Sequence, residues 1–163
     1  MRHLLVILFL SISFLAAAQQ NAPNIGCKDA TILVQANELK ESLVKQGFEV
    51  VNDAMLSMES REDFPIVVRM QEGVFYQITF IGNTRSKRMN LDLFAPNSGL
   101  IIKKEQQPLN QTSNVISFSF SPSESGDYRF NLSQTMKQEL LKFKGKDIIC
   151  GSFCILRLKK TNP

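Results

Sequence analysis

Apolar residues alternate with other residues in short runs along most of this chain, and turn-forming residues separate the runs. Successive side chains of a β-strand point to opposite faces, so a period of two predicts strands with one buried face. About seven to nine short strands separated by frequent turns are typical of an antiparallel β-sandwich or jelly roll. The sequence therefore predicts a mainly β fold with its strands between residues 48 and 158, in which residues 48–51 begin one strand and residues 54–57 begin another.

One predicted hairpin lies around the tight turn Glu72-Gly73. Alternating runs on either side of this turn, residues 64–70 and 74–80, are expected to pair with each other. Farther along, residues 100–102 predict a short strand, and the polar residues 103–114 predict a loop.

Residues 29–46 depart from the period of two, because their apolar side chains recur at spacings of three and four. This spacing predicts one amphipathic helix at the N-terminal end of the fold. Asp29 is suited to cap its first turn, and Gly47 is suited to end it. The apolar stripe of the predicted helix consists of Ile32, Leu33, Ala36, Leu39, Leu43 and Val44.

Residues 1–18 predict a cleavable secretory signal peptide. Arg2 and His3 precede an apolar stretch, Leu4 to Leu15, that is shorter than the roughly 20 residues needed to cross a bilayer. Three alanines then provide the small-residue cleavage site. Cleavage is expected to leave residues 19–163 as a single exported domain, periplasmic or extracellular, with no transmembrane segment.

The expected mature chain has no histidine, because the one histidine of the sequence is His3. This excludes Ser-His-Asp and Cys-His nucleophilic sites and histidine-ligated zinc. Loss of Arg2 lowers the net charge from +4 to +3, which is too small and too evenly spread to predict a nucleic-acid partner. A non-enzymatic protein is therefore expected, and the alternative enzyme would have to use carboxylates.

The three cysteines are Cys27, Cys150 and Cys154. In an exported protein an odd number predicts one disulfide and one free thiol. Cys150 and Cys154 cannot bridge within one straight strand, because about 13 Å would separate Cα atoms that must lie within about 7 Å. Cys27 is therefore expected to pair with Cys150 or Cys154. The alternative is a turn at residues 151–152 that brings Cys150 and Cys154 close enough to bond. A structural zinc site is not expected, since a fourth ligand is missing.

Four short turn and strand motifs follow one another along the predicted strands. They are Gly73-Val74-Phe75-Tyr76, Asn90-Leu91-Asp92-Leu93-Phe94, Asn97-Ser98-Gly99 and Ser125-Gly126-Asp127-Tyr128. In this order they resemble the bacterial pre-peptidase C-terminal domain over residues 64–132. The resemblance implies a small β-sandwich with an accessory role beside a secreted enzyme. Asn90 stands where that family has its first Asp, which weakens the cation site that the resemblance implies.

Two groups of side chains are candidates for ligand binding. Asn90, Asp92 and Asp127 carry oxygens suited to calcium, which takes six to eight oxygen ligands; no other cofactor and no other metal is expected. Phe75 and Phe94 alternate with the predicted core residues, so they are candidates for an exposed aromatic binding site.

These features together predict an exported β-sandwich with a binding or structural role, whose partner is an unidentified protein or polysaccharide. Two alternatives remain open at this point. One is a small secreted enzyme of an unfamiliar carboxylate type. The other is an inhibitor or accessory partner of a secreted hydrolase.

Overall fold

The computed structural model describes residues 27–111, 113–137 and 148–159, in which one α-helix and one short 3-10 helix accompany eight strands. The signal peptide predicted for residues 1–18 lies outside the described residues. The elements, in chain order, are helix α1 (Ala30–Lys45), β1 (Phe48–Glu59), β2 (Phe64–Met70), β3 (Tyr76–Ile81), β4 (Ser86–Phe94), β5 (Leu100–Gln106), the 3-10 helix (Pro108–Asn110), β6 (Val115–Phe120), β7 (Gly126–Met136) and β8 (Ile148–Leu158).

The strands form two antiparallel sheets of four, which confirms the predicted mainly β sandwich. Sheet A has the order β1-β8-β3-β6, and sheet B has the order β2-β7-β4-β5. Every second side chain points inward, and the two inner faces share one apolar core. The largest fully buried side chains of this core include Tyr76, Phe80, Tyr128, Phe130 and Phe153.

Helix α1 begins and ends where the sequence predicts. The Asp29 carboxylate accepts hydrogen bonds from the backbone N–H groups of Thr31 and Ile32, and Gly47 follows the helix with a φ of +92°. The helix packs on the outer face of sheet A through the buried Ile32 and Ala36. Among the described residues, no helix has the length and apolar content that crossing a membrane requires.

The buried stripe of α1 is narrower than the predicted one. Leu33 and Val44, which were expected to face the core, are each 45% exposed. They lie beside the contact because α1 rests on a sheet rather than in a groove between elements, so only the side chains directly beneath its axis are buried.

The hairpin predicted around Glu72-Gly73 is wrong. β2 pairs with β7 in sheet B, whereas β3 pairs with β6 and β8 in sheet A. The turn, in which Gly73 has a φ of +68°, therefore carries the chain from one sheet to the other. Turn residues show where a strand ends, but the partner of the next strand depends on contacts far away in sequence.

Two strand boundaries also differ from the prediction. β5 continues to Gln106, well into the segment predicted as a polar loop, because an edge strand of sheet B tolerates lysine and glutamate on its exposed positions. Residues 48–59, predicted as two separate runs, form the single strand β1 with an irregularity between Val50 and Asn52. That irregularity shifts the alternation by one residue, which makes one strand resemble two in the sequence.

The disulfide joins Cys27 to Cys150, whose Cα atoms are 5.6 Å apart. Cys150 and Cys154 do lie in one strand, β8, so the geometric argument against their pairing is confirmed. Cys154 is the buried free cysteine, and it packs with Leu156 and Phe48 beneath the end of α1.

Burial raises the pKa of the Cys154 thiol to about 12, and the nearby Asp53 carboxylate acts in the same direction. Between pH 9 and pH 12 the folded state therefore keeps the protonated thiol, whereas the unfolded chain carries the thiolate. We expect this contribution to stability to be complete below pH 9 and to be lost as the pH rises towards 12, by about 1.4 kcal/mol per pH unit in that window.

Urea unfolding at pH 8 and pH 10 measures this loss. The Cys154→Ala variant serves as the control, because it titrates the same lysines and tyrosines but has no thiol at this position. An equal loss of stability in both proteins between these pH values would contradict the prediction.

Candidate functional site

The two sheets differ in what covers their outer faces. α1 lies on sheet A, whereas no described helix covers the outer face of sheet B. On that face the outward side chains of the outer strands are largely exposed, as for Val67 at 60%, and those at the centre of β4 and β7 are partly buried, with Ser133 buried. We call these outward side chains the open face. Its members are Pro65, Val67, Arg69, Arg88, Asn90, Asp92, Phe94, Leu100, Lys103, Glu105, Asp127, Arg129, Asn131, Ser133 and Thr135.

A polar block occupies the middle of the open face, on the neighbouring strands β4 and β7. Asn90 lies opposite Ser133, and Asp92 lies opposite Asn131. The Asn90 amide donates a hydrogen bond to the Ser133 hydroxyl at 3.2 Å. The Oδ1 atoms of Asp92 and Asn131 are buried and accept no hydrogen bond from the described residues. Burial without a partner costs free energy, so these two oxygens are unused acceptors at the centre of the face.

An aromatic side chain lies next to the polar block. Phe94 follows Asp92 on the same face of β4, and the guanidinium of Arg129 lies 4.5 Å from the centre of its ring. This contact is a cation–π interaction, which orients both side chains. Val67 and Leu100 flank the pair in register on the outer strands and are more than half exposed.

Charges of both signs surround this centre. Arg88 pairs with Glu105 at 3.4 Å, and Arg69 pairs with Asp127 at 3.8 Å. Both ion pairs are exposed, so each contributes little to stability. The open face thus offers hydrogen-bond donors, acceptors and apolar surface rather than a field of one sign.

The structure brings together only part of the predicted calcium group. Asn90 and Asp92 are neighbours on the open face, but Asp127 lies four residues along β7 from Asn131, which corresponds to about 13 Å. Asp127 faces Arg69 instead. The described residues contain no cluster of three or more acidic, cysteine or histidine side chains that could hold a metal ion.

The two predicted aromatic candidates also lie apart. Phe94 belongs to the open face of sheet B, whereas Phe75 precedes β3 and packs against Phe48, with ring centres 6.2 Å apart, at the border of sheet A. Phe75 is 42% exposed and Phe94 is partly buried, and the two rings do not form one aromatic surface. Alternation predicts which face of its own strand a side chain lies on, but not which sheet the strand joins. The two rings are apart because β4, which holds Phe94, and β3, which follows Phe75, belong to different sheets.

The sequence did not identify Asn131, Ser133 and Arg129 as site residues. Their outward direction could have been read from their alternation with the buried Phe130 and Leu132. Their position beside the candidates on β4 could not have been predicted from the sequence. It follows from the antiparallel register of β4 and β7, which are about 40 residues apart in the chain.

No family model matches the chain, and no curated protein sequence matches it. Among solved structures, it is similar to PliG, a periplasmic inhibitor of g-type lysozyme from Aeromonas hydrophila, with 13% identity over 69% of this chain and 89% of that chain and a TM-score of 0.46. A structure titled "CBM4 structure and function" has 9% identity, covers 69% of this chain and 79% of its own, and has a TM-score of 0.41.

A third similar structure contains the CBM22-1 and GH10 modules of the Clostridium thermocellum endo-1,4-beta-D-xylanase 10B in complex with xylohexaose. Its identity is 12%, with 72% of this chain but 27% of that chain covered, and its TM-score is 0.35. Similarities of this size leave the ligand to be argued from the side chains of this chain.

Proposed function

We propose that this chain is an exported, non-enzymatic binding module that holds a polysaccharide against the open face of sheet B. The observation that carries the proposal is the combination, on a sheet face that no described helix covers, of the polar block with unused buried acceptors and the adjacent Phe94 ring. The Cys27–Cys150 disulfide supports export, because such bonds persist in oxidising compartments.

Polysaccharide chemistry suits this arrangement. A sugar ring presents hydroxyl donors at its edge and C–H groups on its face, so it needs acceptors and an apolar surface side by side. Asp92 and Asn131 supply oxygen acceptors, and Phe94 supplies a ring whose position is held by Arg129. A hydroxyl that reached either buried oxygen would add about 0.5–1.5 kcal/mol per hydrogen bond.

Binding without catalysis is favoured by the shape of the face and by its acidic residues. The open face is the surface of a sheet, whereas a closed site favours general acid–base catalysis because it holds the catalytic groups near the reacting bond and excludes water. Two of its acids, Glu105 and Asp127, are paired with arginines. The absence of histidine from residues 19–163 removes the commonest general base as well.

Binding of residues 19–163 to a panel of soluble polysaccharides and peptidoglycan fragments, measured by calorimetry, tests the proposal. For the polysaccharide that binds, we expect Phe94→Ala and Asp92→Ala each to weaken binding about tenfold, equivalent to about 1.4 kcal/mol. Phe75→Ala is the control, because it removes the same side chain from another surface position, where Phe75 is 42% exposed and packs at the border of sheet A.

The proposed function would be wrong in either of two results. Equal weakening by Phe94→Ala and Phe75→Ala would move the site away from the open face. The second is that no polysaccharide of the panel binds, while a protein partner binds and requires Phe94. The open face would then remain the binding site, but its ligand would be a protein.

A further inference from the structure

A cleft of about 400 Å³ opens at one end of the sandwich, away from the open face. It lies between the start of β1 and the end of β8 in sheet A and the turn that follows β2 in sheet B. Its lining consists of Glu49, Gln71, Val74, Arg157, Leu158 and Lys159. The cleft therefore has a charged wall on the sheet A side and an apolar part at Val74.

The charged wall is held in place by strand pairing. Glu49 and Arg157 are partners in the β1–β8 register, and the Glu49 carboxylate accepts a hydrogen bond from Nε of Arg157. A guanidinium has five N–H donors, and Nη1 and Nη2 of Arg157 donate to no group of the described residues. Lys159, whose backbone N–H donates to the carbonyl of Gly47, brings a second cation to the same wall.

The charges of the lining do not cancel. Among the described residues of the lining, two cations, Arg157 and Lys159, accompany one carboxylate, Glu49, which leaves an excess of one positive charge. Val74 and Leu158 supply the apolar part of the lining, and Leu158 is 44% exposed. A monoanionic group attached to an apolar side chain matches both features, because arginine binds carboxylates through paired donors.

We propose that this end cleft binds the carboxylate of a ligand whose neighbouring group is apolar, such as the C-terminal residue of a partner polypeptide. The carboxylate contacts the free guanidinium donors of Arg157 and the Lys159 ammonium. The apolar side chain lies against Val74 and Leu158. This site is separate from the polysaccharide site proposed above, so either can fail without the other.

A matched pair of peptides tests the proposal with the unmodified protein. Acetyl-Gly-Ala-Leu with a free C-terminal carboxylate is expected to bind at least tenfold more tightly than the same peptide with a C-terminal amide, as measured by chemical-shift titration of residues 19–163. Hexanoate distinguishes the source of the carboxylate, since binding as tight as that of the peptide acid would identify the ligand as a simple aliphatic acid. Equal binding of acid and amide, or binding of neither at 10 mM, overturns the proposal.

Three variants then assign the contact to the cleft. Arg157→Gln and Lys159→Gln are expected to weaken binding of the peptide acid at least fivefold. Glu49→Gln is expected to strengthen it about threefold or more, because it removes the competing negative charge and frees Arg157. A variant that merely disturbed the fold would weaken binding, so the opposite sign for Glu49→Gln separates the two explanations.

The control is Arg69→Gln, which removes an exposed arginine from the open face and is expected to leave the peptide affinity unchanged. If Arg157→Gln does not fold, the peptide acid–amide comparison and the Glu49→Gln result still decide the matter. Weaker binding by Glu49→Gln, or an equal effect of Arg69→Gln and Lys159→Gln, contradicts the assignment.

Discussion

The Gln134→Leu variant is expected to lose about 3 kcal/mol or more of the free energy of unfolding, as two or three buried polar groups lose their partner at roughly 1–3 kcal/mol each. Gln134 is fully buried. Its Oε1 accepts from the backbone N–H of Asn83 at 2.8 Å and from the Ser86 hydroxyl at 2.9 Å, and its Nε2 donates to the Cys150 carbonyl at 3.0 Å. Leucine fills a similar volume but can make none of these bonds.

This one side chain connects both sheets, because Gln134 and Ser86 belong to sheet B and Cys150 belongs to sheet A. The space for it is provided by glycines. A Cβ atom at Gly82 would lie 2.7 Å from its Oε1, and one at Gly151 would lie 3.1 Å from its Nε2. We therefore expect the loss to be one of global stability and not of a single loop.

Equilibrium unfolding in urea measures the effect, and Gln111→Leu is the matched control at an exposed position. The control is expected to stay within about 0.5 kcal/mol of the original protein. A Gln134→Leu variant as stable as the Gln111→Leu variant would show that the buried network contributes little.

Removal of the disulfide is expected to have the second large effect. The Cys27→Ala/Cys150→Ala double variant should lose about 2–5 kcal/mol, because the bond closes a loop between cysteines 123 positions apart and so restricts the unfolded chain. In the folded state the bond also holds the start of α1 on β8. Amide hydrogens of Ala30–Lys45 should therefore exchange faster than those of the sheets.

Urea unfolding with and without a reductant measures the loss, and reduction of the original protein should reproduce it. Cys154→Ala is the control, since it removes a buried thiol but no covalent link, and it is expected to cost about 1 kcal/mol. Stability that is unaffected by reduction, or an equal loss in both variants, would contradict the prediction.

The sequence predicted the parts of this fold that depend on near neighbours. The period of two along β4 predicted which of its side chains point inward and which point outward. Leu91 and Leu93 point inward, and Asn90 and Asp92 point outward. The helix follows from apolar residues three and four positions apart, with Asp29 at its cap. Such features depend on the backbone geometry of a few adjacent residues, which local sequence specifies.

The candidate site was predicted only in part, for the same reason. Phe94 was a candidate because it alternates with core residues in its own strand, and Asn90 and Asp92 were candidates because they carry oxygens suited to calcium. Their partners Asn131 and Arg129 come from β7, and Asp127 was grouped with them although the register places it beside Arg69. Periodicity gives the direction of a side chain but not its neighbour on the next strand.

By itself, therefore, the sequence determined the mainly β class, the helix and the impossibility of a Cys150–Cys154 bond within one strand. Tertiary structure decided that β2 and β3 belong to different sheets, that Cys27 pairs with Cys150, and that α1 covers the outer face of sheet A. The physical reason is that strand pairing is selected by the packing of the whole core. The core is made by residues distant in sequence, and no local pattern records which of them meet.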